Sequence, residues 1–134
     1  MNTTTGKKRI ALFGSTGSIG TQTLEVIAAH PDQFSVEVLT ANDNCDLLVQ
    51  QALTYQPNIV VISDETKYSS VKEGLLGTNV KVFAGERALE EVAAMDVYDL
   101  MLAAIVGYAG LRPTLNALRA GKAVALANKE TWFY

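Results

Sequence analysis

A glycine-rich turn near the start of the chain constrains the fold most. The apolar run 10–13 stops at Gly14, and Gly17 and Gly20 follow at three-residue spacing as a helical pattern begins. A strand, tight turn and helix in this order bring backbone N–H groups and a helix N-terminus close to a phosphate. The spacing is one residue longer than G-x-G-x-x-G, and its position after an N-terminal strand strengthens a signal that is weak alone. The sequence therefore predicts a dinucleotide loop at residues 14–20, and the alternative is a turn that only reverses the chain.

Composition and charge exclude several classes of function. The 134 residues are 49% hydrophobic and 19% charged, which is typical of a globular chain, and the net charge of −3 argues against nucleic-acid or anionic-membrane binding. Cys45 and His30 are the only residues of their types, which excludes an internal disulfide and Cys/His zinc sites. His30 precedes Pro31 at the predicted end of a helix, so we expect an exposed residue there and not the base of a Ser-His-Asp triad. The polar segment 1–6 has no apolar signal core, and no apolar run reaches membrane-spanning length. We therefore expect a cytoplasmic protein.

Apolar runs alternate with helical patterns along the whole chain. The predicted strands are 9–13, 35–40, 58–63, 80–84, 99–106 and 122–127, and the predicted helices are 18–29, 46–55, 65–76, 86–94 and 113–120. Short strands joined by helices lie parallel with right-handed crossovers. The prediction is an α/β fold with a doubly wound, Rossmann-like parallel sheet in one domain, residues 1–134, with residues 1–7 as a flexible lead-in. We expect strand 80–84 at one edge and strand 99–106 beside the first strand.

The helical patterns also predict which side chains face the sheet. In the first helix these are Ile19, Thr23, Val26 and Ile27, and in the second helix they are Leu47, Leu48, Ala52 and Tyr55.

Four loops are expected at one edge of the sheet, because every loop that follows a parallel strand emerges on the same side. They are 14–20, 40–44, 106–110 and 128–130. The first would hold a dinucleotide diphosphate, the second the adenosine ribose, and the last two the nicotinamide end.

The second loop bears on the choice of coenzyme. Its strand ends at Thr40 without the acidic residue that marks NAD binding. Asn42 and Asn44 can donate hydrogen bonds to a 2′-phosphate, whereas Asp43 would repel one unless it points away. The residues therefore favour NADP over NAD, and Asp43 is the opposing feature.

The segment Asn128-Lys129-Glu130 places a donor, a cation and an acceptor after an apolar strand. The compact charge of Lys129 can meet a substrate phosphate or oxygen, and Glu130 can accept from the nicotinamide carboxamide or ribose. The alternative is a solvated turn with a weak ion pair.

Taken together, three motifs resemble the 1-deoxy-D-xylulose 5-phosphate reductoisomerase family over about residues 8–131. They are Gly14-Ser15-Thr16-Gly17-Ser18-Ile19-Gly20, Ala103-Ala104-Ile105-Val106-Gly107 with Gly110-Leu111, and Ala127-Asn128-Lys129-Glu130. The resemblance implies an NADPH-dependent oxidoreductase that converts 1-deoxy-D-xylulose 5-phosphate to 2-C-methyl-D-erythritol 4-phosphate. This reaction belongs to non-mevalonate isoprenoid biosynthesis, the MEP pathway, and uses magnesium or manganese.

The resemblance also assigns roles to residues. It implies that NADPH contacts Gly14, Thr16, Gly17, Ser18, Ile19, Asn42, Asn44, Asn128 and Glu130, and that Lys129 contacts substrate. The family's metal ligands, lid and C-terminal domain follow the Asn-Lys-Glu motif. We therefore expect no catalytic or metal-binding residue in this chain and no turnover by it alone. We also expect a homo-oligomer, because surfaces that meet those other parts would be uncovered. The alternative is a stand-alone NAD(P)-binding module without catalysis.

Overall fold

The computed structural model describes residues 6–105 and 110–127 as alternating strands and helices. The strands are β1 (Lys8–Phe13), β2 (Phe34–Ala41), β3 (Ile59–Ile62), β4 (Lys81–Ala84), β5 (Leu100–Ala103) and β6 (Ala123–Leu126). The helices are α1 (Ser18–Ala28), α2 (Cys45–Tyr55), α3 (Tyr68–Gly74), α4 (Glu86–Ala93) and α5 (Leu111–Arg119), with a 3-10 turn at Glu65–Lys67.

The described strands form one parallel sheet in the order β4-β3-β2-β1-β5-β6. The chain winds outward from β1 to β4 and then crosses over to place β5 on the other side of β1. Phe13 pairs with Thr40 on β2 and with Ala103 on β5, so the carboxyl ends of these three strands lie together. The predicted edge position of β4 and the predicted pairing of β5 with β1 are confirmed.

Two apolar layers cover the sheet, one on each face. On one face Ala11 and Phe13 of β1 pack with buried residues of α4 and α5. On the other face Leu12 packs with buried residues of α1, α2 and α3. The continuous apolar run of β3 divides between the two layers, as expected for a strand covered on both sides. The predicted doubly wound α/β architecture is therefore confirmed.

Two local predictions need correction. Val26 was expected to face the sheet, but 47% of its surface is exposed, and Leu24 occupies the inner face instead. The apolar stripe of α1 contains Leu24 and Ile27, and Val26 lies about 100° around the helix from Ile27. The single helix predicted over 65–76 is a 3-10 turn followed by the short helix α3, and Asp64 is the N-cap of the 3-10 turn, where it accepts a hydrogen bond from the Thr66 N–H at 3.0 Å.

Within residues 6–105 and 110–127, no helix combines the length and apolar character that a membrane crossing requires.

Candidate functional site

The turn after β1 depends on the backbone freedom of Gly14. Its φ of +91° lies in the left-handed region, where side chains are rarely tolerated. A Cβ at this position would also lie 3.0 Å from the carbonyl carbon of Ala104, just beyond β5. Gly14 therefore lets the chain turn sharply while it passes close to the neighbouring strand.

Gly20 and Gly17 serve different purposes in the same loop. A Cβ on Gly20 would overlap the carbonyl oxygen of Gly14 and lie 2.9 Å from the carbonyl carbons of Gly14 and Ser15. Gly20 therefore allows α1 to pack directly on the loop. Gly17 has an ordinary φ of −75°, and a Cβ there would meet no protein atom within 4 Å. No protein contact requires glycine at 17; glycine is an acceptable N-cap residue, and its lack of a side chain leaves the backbone open to a ligand.

The N-terminus of α1 is open to such a ligand. Gly17 is the N-cap residue, and no side chain caps the helix. The first N–H groups of a helix have no partner inside it and carry the positive end of the helix dipole. They lie beside an exposed glycine, which is the arrangement that favours a bound anion.

A buried polar cluster, formed with residues of β2 and α2, holds the glycine loop in place. The Gly14 N–H donates to the Thr40 hydroxyl at 2.9 Å, and the Ser15 N–H donates to the Thr40 carbonyl at 2.7 Å. The Ser15 hydroxyl donates to Gln51 Oε1 at 2.7 Å, and Gln51 Nε2 donates to the Ser15 carbonyl at 2.9 Å. These contacts tie the turn to the end of β2 and to the middle of α2.

A cavity of about 650 Å³ opens above the loop at the carboxyl edge of the sheet. Its wall consists of Gly14, Thr16, Gly17, Thr40, Ala41, Asn42, Ser63, Glu86, Leu89, Glu90, Ala104, Ile105, Arg112 and Pro113. The cavity lies at the point where β1 separates the two halves of the sheet, which is where open α/β sheets bind ligands. Its volume falls in the range of small-molecule and coenzyme sites.

The wall opposite the glycine loop comes from α4 and α5. Leu89 and Pro113 provide apolar surface, and Glu86 and Glu90 provide carboxylates. The Arg112 guanidinium lies 3.7 Å from a Glu90 carboxylate oxygen, while 75% of the Arg112 side chain remains exposed. This wall can therefore pack an aromatic ring against apolar side chains and present a charged rim to polar substituents.

Comparison with known proteins agrees with this geometry. The family model of 1-deoxy-D-xylulose 5-phosphate reductoisomerase matches residues 10–133, which is most of the chain. The chain belongs to this family. A 1-deoxy-D-xylulose 5-phosphate reductoisomerase from Phocaeicola vulgatus is 58% identical over 125 residues, which are 93% of this chain and 33% of the relative.

Solved reductoisomerase structures share the fold. The enzyme from Zymomonas mobilis, solved in complex with NADPH, has 44% sequence identity and a TM-score of 0.85 over 93% of this chain and 33% of its own. Another reductoisomerase, solved with NADPH, fosmidomycin and magnesium, has 36% identity and a TM-score of 0.85 over 92% of this chain and 31% of its own. The chain therefore spans about a third of the length of these relatives.

The residues predicted to contact NADPH or substrate fall into three groups. Gly14, Thr16, Gly17 and Asn42 line the cavity. The predicted contacts Asn128, Lys129 and Glu130 lie outside the described residues, as does the segment 106–109. The Ala127 N–H donates to the Ala103 carbonyl at 3.0 Å, so the chain reaches residue 127 at the same edge of the sheet as the cavity.

Three other predicted contacts lie at the N-termini of helices. Ser18 and Ile19 are the first two residues of α1. Asn44 caps α2, where its side-chain oxygen accepts from the Leu47 N–H at 3.2 Å. Asp43, the residue that argued against a 2′-phosphate, is exposed and is not part of the cavity wall.

Sequence reasoning missed the far wall of the site in this family member. Ser63 directly follows β3, so the rule that parallel strands present their following loops at one edge also applies to it. Glu86, Glu90 and Arg112 carry no such signal, because their position depends on how α4 and α5 pack together. In the described part of the chain, no three histidine, cysteine, aspartate or glutamate side chains come together as a metal site.

Proposed function

We propose that this chain is the NADPH-binding domain of a 1-deoxy-D-xylulose 5-phosphate reductoisomerase, which makes 2-C-methyl-D-erythritol 4-phosphate for isoprenoid biosynthesis. The observation that carries the proposal is Gly17, a glycine that no protein contact explains, at the open N-terminus of a helix beside the cavity. The Zymomonas mobilis relative, which shares the fold, was solved with NADPH.

The diphosphate of NADPH would lie over the glycine loop. Backbone N–H groups at Ser18 and Ile19 belong to the first turn of α1, where they have no partner inside the helix. Gly17 leaves the space that a phosphate needs to reach them. The protein thus offers partial positive charge without a lysine or arginine in the loop.

The adenosine end would meet the loop that follows β2. Asn42 lines the cavity and can donate a hydrogen bond to the 2′-phosphate, with Asn44 nearby at the start of α2. The backbone of this loop is tied to the end of β3, since the Asp64 N–H donates to the Asn42 carbonyl at 2.8 Å. A fixed loop supports selection of NADPH over NADH, because the donors need no rearrangement on binding.

Roles for the terminal motif rest on the family resemblance. Asn128 and Glu130 would contact the nicotinamide half of NADPH, and Lys129 would contact the substrate. Bound NADPH supplies the hydride that reduces the rearranged substrate. We propose that these 134 residues alone do not turn over substrate, because they span about a third of the length of their relatives. A longer solved relative binds magnesium and fosmidomycin as well as NADPH.

Calorimetric titration of Gly17→Ala tests the proposed coenzyme site. The unmodified chain should bind NADPH more tightly than NADH. The added methyl group should weaken NADPH binding by about tenfold or more, because it occupies space that the diphosphate needs. Folding stability should change by only about 0–1 kcal/mol, as alanine is a poorer N-cap than glycine.

Gln22→Ala, an exposed change on the same helix, is the matched control and should leave both affinities unchanged. The absence of NADPH binding by the unmodified chain would refute the proposed function. A preference for NADH would refute the coenzyme assignment alone.

Self-association remains a prediction for this chain. Leu111, Leu115 and Leu118 are exposed at helical spacing on α5, and Leu126 is exposed on β6, the edge strand of the described sheet. Apolar surface and an open strand edge of this kind favour association. Size-exclusion chromatography over a dilution series should show concentration-dependent assembly, and a monomer at every concentration would contradict the prediction.

A further inference from the structure

A buried glutamine beneath the glycine loop has no role in the proposed contacts with coenzyme. Gln51 lies in the middle of α2, is 7% exposed and does not line the cavity. The described residues bury four polar side chains, and three of them, Ser15, Thr40 and Gln51, form one cluster below this loop. Burial of an amide is costly unless its hydrogen bonds are made, so the cluster needs a specific explanation.

Gln51 makes two hydrogen bonds to one residue of the loop, Ser15. Its Oε1 accepts from the Ser15 hydroxyl at 2.7 Å, and its Nε2 donates to the Ser15 carbonyl at 2.9 Å. The second contact fixes backbone and not only a side chain. Thr40 secures the other side of the turn, because its carbonyl accepts from the Ser15 N–H at 2.7 Å. The orientation of the peptide between residues 15 and 16 is therefore set from α2.

This orientation has a consequence on the opposite side of the peptide. In a planar trans peptide the C=O and the following N–H point in opposite directions. There are no cis peptides in the described chain, so a Ser15 carbonyl directed at Gln51 turns the Thr16 N–H away from α2. Thr16 lies in the wall of the cavity. An N–H directed there is a donor for a phosphate oxygen.

We propose that Gln51 is a positioning residue for the dinucleotide site: it holds the Ser15 carbonyl inward so that the Thr16 N–H faces the bound diphosphate. The inference rests on the proposed function for the identity of the ligand. Gln51 does not touch the coenzyme and acts only through the loop. Its effect is specific to the diphosphate and does not extend to the adenosine end of the site.

Gln51→Met tests the inference, because methionine is unbranched and of similar length but cannot make either hydrogen bond. Gln50→Met is the matched control, since Gln50 is exposed and adjacent on the same helix. The 134-residue chains are compared in two ways. Amide hydrogen exchange is measured without ligand, and affinities are measured for NADPH and for adenosine 2′-monophosphate, which lacks the diphosphate.

Gln51→Met should speed exchange of the Gly14 and Ser15 amides, which hydrogen bonds to Thr40 protect, by about tenfold while leaving β3 protected. It should weaken NADPH binding by about tenfold or more, as expected for loss of a hydrogen bond to a charged group. Its affinity for adenosine 2′-monophosphate should stay within about twofold, since that ligand has no diphosphate to accept hydrogen bonds from the N–H groups of the glycine loop. Gln50→Met should match the unmodified chain in every measurement.

Distinct outcomes separate the two proposals. If the unmodified chain binds neither nucleotide, the proposed function fails, and exchange at Gly14 and Ser15 still decides whether Gln51 holds the loop. If NADPH affinity and exchange are unchanged in Gln51→Met, the positioning role is refuted. Equal weakening of both ligands would show a general structural role and would also refute it. Should Gln51→Met fail to fold, Gln51→Leu is the second variant, because it also removes both hydrogen bonds to Ser15 with an uncharged side chain that favours a helix, and it should show the same faster exchange at Gly14 and Ser15.

Discussion

Replacement of Gly20 by alanine tests the packing of the first helix on the loop. The new Cβ would overlap the Gly14 carbonyl oxygen and lie 2.9 Å from two backbone carbonyl carbons. Ordinary contacts at such atoms begin near 3.4 Å, so the two carbonyl carbons alone require about half an ångström of separation between α1 and the loop, and the overlapping oxygen requires a larger one. The obstructing atoms are backbone, and hydrogen bonds to Thr40 hold that backbone in place. The strain therefore has no flexible side chain to absorb it.

The expected loss of stability follows from two opposing effects. Alanine is favoured over glycine inside a helix by about 1 kcal/mol. Overpacking of a close contact costs about 1–3 kcal/mol, and contact with anchored backbone places Gly20→Ala toward the upper end. The net result is a destabilisation of about 2 kcal/mol or more, which for a chain of this size lowers the Tm by about 6–10 °C or more.

Thermal unfolding followed by circular dichroism measures this effect. Gly17→Ala is the matched control, because its Cβ meets no protein atom within 4 Å and should leave the Tm within about 5 °C. An unchanged or raised Tm for Gly20→Ala would show that helix and loop separate freely, and would refute the proposed reason for glycine at this position.

Two further predictions concern Tyr98, which is fully buried and donates a hydrogen bond to the Ala93 carbonyl at 2.6 Å. Tyr98→Phe should lower the free energy of unfolding at pH 8 by about 1–2 kcal/mol, measured by urea denaturation, because the buried carbonyl loses its donor. Burial raises the pKa of Tyr98 to about 12 from 10.0, so the folded state holds this proton more tightly than the unfolded state. Its contribution to stability should therefore decline between pH 10 and 12, and the gap between the two proteins should close over that interval. A gap that stays constant up to pH 12 would contradict this account.

The architecture could be predicted largely from the sequence because local and global signals agree. Apolar runs marked the strands to within a few residues, and β3 showed by its unbroken apolar character that it is covered on both faces. The sheet order followed from short parallel strands and right-handed crossovers. Val26 was misplaced because apolar character on a short helix does not by itself define the buried face.

The candidate site could be predicted only where it follows the carboxyl ends of strands. The glycine loop and Asn42 have such positions, whereas Arg112 and Glu90 reach the cavity through the packing of α5 against α4. Gln51 shares the predicted inner face of α2 with Leu48 and Ala52, so its spacing indicated burial. It was overlooked because polar side chains are usually exposed, and the pattern contains no sign of the partner 36 residues away.

Helix α2 links the two ends of the proposed coenzyme site. Asn44 caps its first turn directly after the loop that contains Asn42, and Gln51 lies seven residues further along, about 10 Å on a helix of 1.5 Å rise per residue. The same rigid element thus begins at the proposed adenosine loop and holds the Ser15 carbonyl from its middle. A helix does not stretch, so the separation between the proposed donors to the 2′-phosphate and the proposed donors to the diphosphate is set before any ligand arrives. A coenzyme of fixed dimensions would then bind a site that is already ordered, without the cost of ordering two loops independently.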